Sequence, residues 1–401
     1  MHQFGWNGIF ILLFIIYVIR NVRSGGESFC KTSKGLPGFC INLKSQIKYC
    51  PKMHSWLLNG GTEWLQLRDA LCSNEVNPDS AKVCCPIEWY NETSTNTVLP
   101  DYSSHRNFRL LPHDSKCGYI SLGGRIIGGQ YANPGDFPWM ARIGLKQNGE
   151  SEVFFGCSGT IINNRYILTA AHCVPNVVDG NHKIFIRLAE TDERINPESV
   201  LIDNFIVDSS PFLDFDVEEI IIHAGYKGIG GSAHDIALVR VKSEINISSI
   251  FTQPVCLPFI KEYSLQARLN DAKILNSNGT VCGWGKTDTN STEGSSVLQN
   301  VIVPIIQNIV CRIVYKKDAL ITRNQMCAGG LKGMSSCSGD SGGPLTKIAK
   351  RDDRVTKTKS VRHYQLGIVS FGKTNCGREN EPVVYTRVQN YLKWILDSIR
   401  E

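Results

Sequence analysis

Long apolar runs are missing from this chain of 401 residues: the N-terminal candidate, Ile9 to Ile19, has eleven residues, against the ~20 that a membrane-spanning helix needs. No membrane span is expected. The run has the length of a signal-peptide core, and Val22-x-Ser24 supplies residues suited to signal peptidase, which gives a signal peptide over 1–24. Arg20 and Arg23, between core and cleavage site, leave an uncleaved anchor as the alternative. Strong charge of one sign is also missing, since the formal net charge is +6 and no stretch resembles a nucleic-acid-binding module, so nucleic acid is not an expected partner. Cysteine is the opposite case. Fifteen cysteines point to an oxidising, extracellular compartment. In that compartment the sequons at Asn91, Asn246, Asn278 and Asn290 become candidate glycosylation sites.

Three separated motifs carry chemistry: Thr169-Ala170-Ala171-His172-Cys173, Asp235-Ile236-Ala237-Leu238 and Ser338-Gly339-Asp340-Ser341-Gly342-Gly343-Pro344. A serine hydroxyl is a weak nucleophile at neutral pH, so Ser341 needs an imidazole to take its proton as it attacks a carbonyl. His172 is the candidate base. A buried carboxylate must then fix the imidazole tautomer and stabilise the imidazolium, and Asp235 is the candidate. The backbone N–H groups of Gly339 and Ser341 are candidates for the oxyanion hole, where one donor is worth ~3 kcal/mol of transition-state stabilisation.

With the His, Asp, Ser order in place, the chain from about Cys117 onward resembles a chymotrypsin-family serine peptidase. The resemblance implies an all-β fold, a double β-barrel, over residues 126–401. Short β-branched segments such as Lys183–Leu188 and Ile236–Val241, separated by Gly, Asn and Asp, agree with it. Val388, Tyr391, Leu392, Ile395 and Ile399 follow helical spacing, which predicts one amphipathic C-terminal helix. Gly124-Arg125-Ile126-Ile127-Gly128-Gly129 resembles the family's activation site within a segment 117–125. Cleavage after Arg125 would then create an ammonium at Ile126 that pairs with Asp340. The family bridges imply Cys117–Cys256, Cys157–Cys173, Cys311–Cys327 and Cys337–Cys376, and leave Cys282 as a buried free thiol, because the place of its usual partner is Lys347.

Cys30, Cys40, Cys50, Cys72, Cys84 and Cys85 fall within 56 residues. They form a disulfide framework for a module too small to fold on an apolar core alone, and spacing leaves fifteen pairings open. Ending in Cys-Cys-Pro, residues 30–85 resemble the clip domain of arthropod serine peptidases. That resemblance implies Cys30–Cys84, Cys40–Cys72 and Cys50–Cys85. Residues 86–116, rich in Asn, Ser, Thr and Pro, read as a flexible linker.

The chain departs from trypsin-like members where specificity is set. The residue six before the nucleophile is Ser335 and not aspartate, so an arginine or lysine side chain would find no buried counter-charge. Ser370, Phe371 and Gly372 would pair with an extended substrate strand, and Val383 occupies a pocket wall where glycine is common. Small or medium aliphatic residues are the expected substrates. Glu190 aligns with a calcium-ligand position of some members, so no cofactor is required and calcium is an option; a solvated acidic loop is the alternative. Thr346 to His363 carries seven cationic residues against Asp352 and Asp353, read as a solvated loop or an exosite. The whole is read as a secreted zymogen of a serine endopeptidase in a haemolymph cascade, serving immunity or patterning. Its expected partners are an upstream trypsin-like activator, a downstream zymogen or cytokine precursor as protein substrate, and serpin inhibitors. The alternative is a weakly active regulatory cofactor of such a cascade.

Overall fold

The computed structural model describes residues 29–31, 37–42, 50, 53, 72 and 82–86, and 100–401 except 114, 120–129, 148, 150–152, 175–181, 197–198, 203–204, 209–210, 229–232, 260–273, 275–276, 288–290, 292, 316–317 and 353–358. The signal peptide, Arg125, Ile126, Asn91 and Asn290 lie outside the described residues. The chain divides into two units, Met1–Val98 and Leu99–Glu401. Among the described residues no helix is long and apolar enough to cross a membrane.

In the first unit, strands β1 (Phe29–Lys31), β2 (Pro37–Asn42) and β3 (Lys82–Pro86) form an antiparallel sheet in that order. Three disulfides, Cys30–Cys84, Cys40–Cys72 and Cys50–Cys85, staple it. Two of the three end on the adjacent pair Cys84-Cys85 in β3. Alternation along a strand sends neighbouring side chains to opposite faces, so one strand ties down both sides of the sheet.

The second unit is two antiparallel barrels of six strands. The first is closed in the order β11 (Leu213–Ile222), β12 (Ala237–Val241), β7 (Tyr166–Thr169), β6 (Val153–Ile161), β5 (Met140–Gln147) and β8 (His182–Leu188). A hairpin of β9 (Ser199–Ile202) and β10 (Phe205–Asp208) stands apart from it. In the second barrel β13 (Asn278–Gly283), β16 (Pro344–Asp352), β17 (Lys359–Phe371), β18 (Pro382–Arg387), β15 (Gln325–Gly329) and β14 (Gln299–Ile306) follow one another, β13 pairing with β14 to close the circle. Short β4 (Gln130–Tyr131) lies on the edge of β14. This is a chymotrypsin-like fold. β-branched runs such as Ile236–Val241 suit strands buried on both faces, and residues Ile236 to Val239 are fully buried.

The predicted C-terminal helix is a 3-10 turn, Val388–Tyr391, leading into α-helix Leu392–Ser398. Val388, Leu392, Ile395, Leu396 and Ile399 pack into the first barrel's core. A fully buried apolar side chain of this kind contributes about 1.5–3 kcal/mol.

Two readings need correction. Residues 100–113, inside the tract read as flexible linker, are packed within the second unit. Tyr102 and Phe108 stand edge-on to Phe259 at 5.9 and 5.4 Å. The Asn107 side-chain amide donates to the carbonyls of Leu396 and Ile399 at 2.9 and 2.8 Å, and so caps the helix end that has no backbone donors left. Average composition hid the apolar residues that make this strap. Likewise the cationic segment is mostly a β16–β17 hairpin and not a loop. Its Lys347 ammonium reaches Ser277 Oγ at 2.5 Å, and its Arg362 guanidinium lies over the Tyr119 ring.

Candidate active site

His172 sits in a single 3-10 turn, Ala171–Cys173, directly after β7, and Asp235 comes just before β12. Since β7 and β12 are paired neighbours, their ends bring the two side chains together. His172 Nδ1 lies 2.8 Å from Asp235 Oδ2, and the His172 backbone N–H donates to Oδ1 at 3.0 Å. A third donor, the Ser370 hydroxyl on β17, reaches Oδ2 at 2.6 Å, and Thr386 Oγ1 on β18 donates to the Asp235 carbonyl at 2.7 Å. Sequence reasoning assigned Ser370 to substrate backbone. The hydroxyl bond to Asp235, and Thr386 altogether, had no signal in spacing because both come from the other barrel.

Ser341 lies in the turn before β16. Its carbonyl accepts from Ser158 N at 2.7 Å, while among the described residues its hydroxyl makes no hydrogen bond to His172. His172 Nε2 instead faces Cys173 Sγ at 3.7 Å. In the turn, Asp340 N and Gly342 N donate to the carbonyls of Cys337 and Val369 at 3.0 and 2.9 Å. The N–H groups of Gly339 and Ser341 stay uncommitted among the described residues, so they remain available to an oxyanion. Gly339 has φ +102°, and a β-carbon there would meet Gly285 Cα at 2.9 Å. Only glycine fits.

Asp340 is buried beside the nucleophile. Its carboxylate accepts from Gly285 N at 2.8 Å and Cys337 N at 2.7 Å, and a β-carbon on Gly285 would collide with it. Among the described residues it faces no cation. Burial pushes its pKa up to about 6, because desolvation of an unpaired carboxylate favours the neutral form. Asp340, Gly283 and Gly285 line a cavity of about 480 Å³ that also reaches Ser335. Cys282 on β13 borders it as the free thiol, its pKa raised by full burial.

Among the residues expected to line the specificity pocket, Ser335 Oγ donates to the Ser336 carbonyl at 2.7 Å, and Ser336 Oγ lies 3.1 Å from Tyr385 OH. Val383 is buried on β18, with Cγ2 only 3.2 Å from where a β-carbon of Gly372 would stand. The valine side chain therefore packs against Gly372. Phe371 stacks edge-on against Tyr315 at 5.4 Å, whose hydroxyl is fixed on the Pro382 carbonyl at 2.7 Å.

The bridges Cys117–Cys256, Cys157–Cys173, Cys311–Cys327 and Cys337–Cys376 are all present in this unit. Asn246 and Asn278 are exposed. Glu190 is not. Its side chain is 4% exposed, Oε2 accepts from Arg142 Nη1 at 2.7 Å and Oε1 from Arg187 Nη1 at 3.3 Å. With guanidinium groups on both oxygens, the residues present do not fit a calcium ion.

Residues 126–395 match the Trypsin family model. Phenoloxidase-activating factor 1 of Holotrichia diomphalia is 33% identical over 400 residues, 98% of each chain. Melanization protease 1 of Drosophila melanogaster is 37% identical over 396 residues, 93% of each. The crystal structure of the Drosophila Grass clip serine protease of the Toll pathway superposes with a TM-score of 0.57 at 28% identity, covering 92% of this chain and 96% of that one.

Proposed function

Because this chain belongs to the trypsin family, as a clip-domain serine protease, we propose that it is the secreted zymogen of an endopeptidase, switched on by cleavage after Arg125 in an extracellular cascade. Relatives named for phenoloxidase activation, melanisation and the Toll pathway support a place in such a cascade, which we read as serving immunity or patterning. Its substrate would be a downstream zymogen or cytokine precursor, its activator a trypsin-like enzyme and its inhibitors serpins. Fifteen cysteines, fourteen of them in disulfides, support secretion.

In this reading Ser341 attacks the scissile carbonyl and His172 Nε2 takes its proton. Asp235 holds Nδ1–H and stabilises the imidazolium, and the N–H groups of Gly339 and Ser341 stabilise the oxyanion. His172 then returns the proton to the leaving amine. Water repeats the sequence on the acyl-enzyme.

The observation that carries the zymogen reading is Asp340, buried against a cavity with no counter-cation among the described residues. A buried carboxylate is costly unless paired. The ammonium that cleavage frees at Ile126 would remove that cost and order the oxyanion turn. Arg125→Gln should stay intact and inactive when a trypsin-like peptidase fully activates the parent. Equal activation of both would refute the switch.

Val383 against Gly372 favours small aliphatic residues on the acyl side, and also supports the second reading, a regulator with feeble turnover. Peptide-library profiling of the cleaved enzyme, with Ser341→Ala as control, separates the two. Preference for Ala or Val supports the enzyme, and binding of cascade partners without turnover supports the regulator.

A further inference from the structure

Arg142 is an unusual residue to find inside a barrel wall. It lies mid-strand in β5, its side chain 8% exposed. The guanidinium donates to Glu190 Oε2 at 2.7 Å and to Glu193 Oε2 at 3.0 Å. Its carbon sits 4.2 Å from the Phe155 ring centroid and 5.2 Å from that of Trp284. Beside it, Arg187 takes the other oxygen of Glu190 and grips Asp214 with two bonds, Nε to Oδ1 at 2.7 Å and Nη2 to Oδ2 at 2.9 Å. Two cations thus hold three carboxylates between aromatic faces.

The backbone is shaped for this cluster. Ala189 has φ +60°, a left-handed conformation that a residue with a β-carbon adopts only under constraint. It stands immediately before Glu190, whose side chain turns into the barrel wall. A metal held by the same carboxylate would have to displace guanidinium hydrogen bonds and sit within reach of a fixed positive charge. Planar, permanently charged and weakly hydrated, a guanidinium is the side chain best suited to a buried, stacked ion pair.

We propose that Arg142 is the resident cation of the 187–194 loop: its guanidinium, built into β5, performs for Glu190 and Glu193 the structural work a calcium ion would perform, and makes the fold calcium-independent. Arg142 also lines a cavity of about 550 Å³ with Phe155, Trp284, Ser338 and Gly339, so the cluster supports a surface that reaches the oxyanion turn. Sequence alone gave no hint of it.

The test uses the intact, uncleaved chain, so it is independent of the activation switch. Thermal unfolding of the parent should be the same in EDTA and in millimolar calcium, and terbium luminescence sensitised by tryptophan should detect no site. Arg142→Gln uncovers the two carboxylates. Its Tm should fall by roughly 5–10 °C in EDTA, and calcium should restore part of that loss. Arg142→Lys keeps the charge without the fork, so it should lose less and stay calcium-indifferent. A calcium-raised Tm or a terbium signal in the parent would overturn the proposal whether or not the variants fold. So would an Arg142→Gln chain that is as stable as the parent, or one whose loss calcium leaves untouched.

Discussion

The two barrels carry unequal shares of a finished machine. In the first, His172 and Asp235 are bonded at 2.8 Å, the His172 backbone N–H holds the other carboxylate oxygen, and Ser370 reaches over from the second barrel as a third donor. In the second, Ser341 has no bond to His172 and Asp340 is buried without a counter-cation among the described residues. Strand pairing explains the difference. His172 and Asp235 stand at the ends of adjacent strands β7 and β12, so pairing of those strands brings them together. Ser341 and Asp340 lie in a turn before β16, where the buried carboxylate is held by the backbone N–H groups of Gly285 and Cys337 and not by strand pairing. Pairing of adjacent strands prearranges a base, whereas under the switch proposed above the nucleophile's turn would gain its counter-charge only from cleavage after Arg125.

The largest expected effect separates nucleophile from orienter. On the activated enzyme, Ser341→Ala should lower kcat by about 10⁶ and Asp235→Asn by about 10⁴, since the second keeps the geometry and loses only the tautomer. Active-site titration and steady-state kinetics on one peptide measure both. An Asp235→Asn enzyme within tenfold of the parent would mean the His172–Asp235 pair is only structural.

The next effect is a pH dependence confined to the second barrel. Asp340 has a pKa raised from 3.8 to about 6 in the folded, uncleaved chain, so the folded state binds this proton more tightly than the unfolded state does. The protonated carboxyl is fully accommodated below about pH 4, and that stability is lost as pH rises through about 6, a penalty of ~3 kcal/mol at neutral pH. Asp340→Asn removes the titration. Urea unfolding of both uncleaved chains should agree near about pH 4 and diverge to ~3 kcal/mol in favour of the asparagine variant near about pH 7.5. A pH-independent difference would show that Asp340 is already paired before cleavage.

Much of this contrast was legible in the residues, and the illegible part has a common cause. Three motifs in order named His172, Asp235 and Ser341, because local strand-end and turn chemistry demands those residue types beside small neighbours. The alternation of short β-branched segments predicted barrels. What escaped were contacts between elements distant in sequence. Asn107 caps a helix 289 and 292 residues away, Ser370 reaches Asp235 across 135, and Arg142 meets Glu190 across 48. The strap at 100–113 looked like linker because its four apolar residues are spread among polar ones. Glu190 looked like a calcium ligand because it aligns with a calcium-ligand position of some family members, and the guanidinium groups occupying its oxygens could not be seen in the sequence.

Specificity gives a smaller, directional effect. Val383→Gly removes the side chain that abuts Gly372 and should admit larger acyl-side residues. The gain in kcat/KM for Leu or Phe substrates should be about tenfold for each ~1.4 kcal/mol of steric penalty relieved. Ala and Val substrates should change little. If the variant is as selective as the parent, the obstruction lies elsewhere in the pocket.

The smallest expected effect tests the joint between the barrels. Ser370 and Thr386 belong to the second barrel, yet both donate to Asp235 in the first, one to Oδ2 at 2.6 Å and one to the backbone carbonyl at 2.7 Å. A hydrogen bond to a charged group is worth about 1.5–3 kcal/mol. Part of that should appear in catalysis, because the Ser370 hydroxyl shares Oδ2 with His172 Nδ1 and so fixes the direction in which the carboxylate faces the ring. Ser370→Ala should therefore lower kcat by roughly tenfold with KM for short peptides nearly unchanged, while Ser370→Thr, which keeps the hydroxyl, should recover most of the loss. Thr386→Ser keeps its bond and should be silent in kcat. Should Ser370→Ala raise KM and spare kcat, the hydroxyl would be serving the substrate strand and not Asp235, and the first barrel would hold its half of the machine without help from the second.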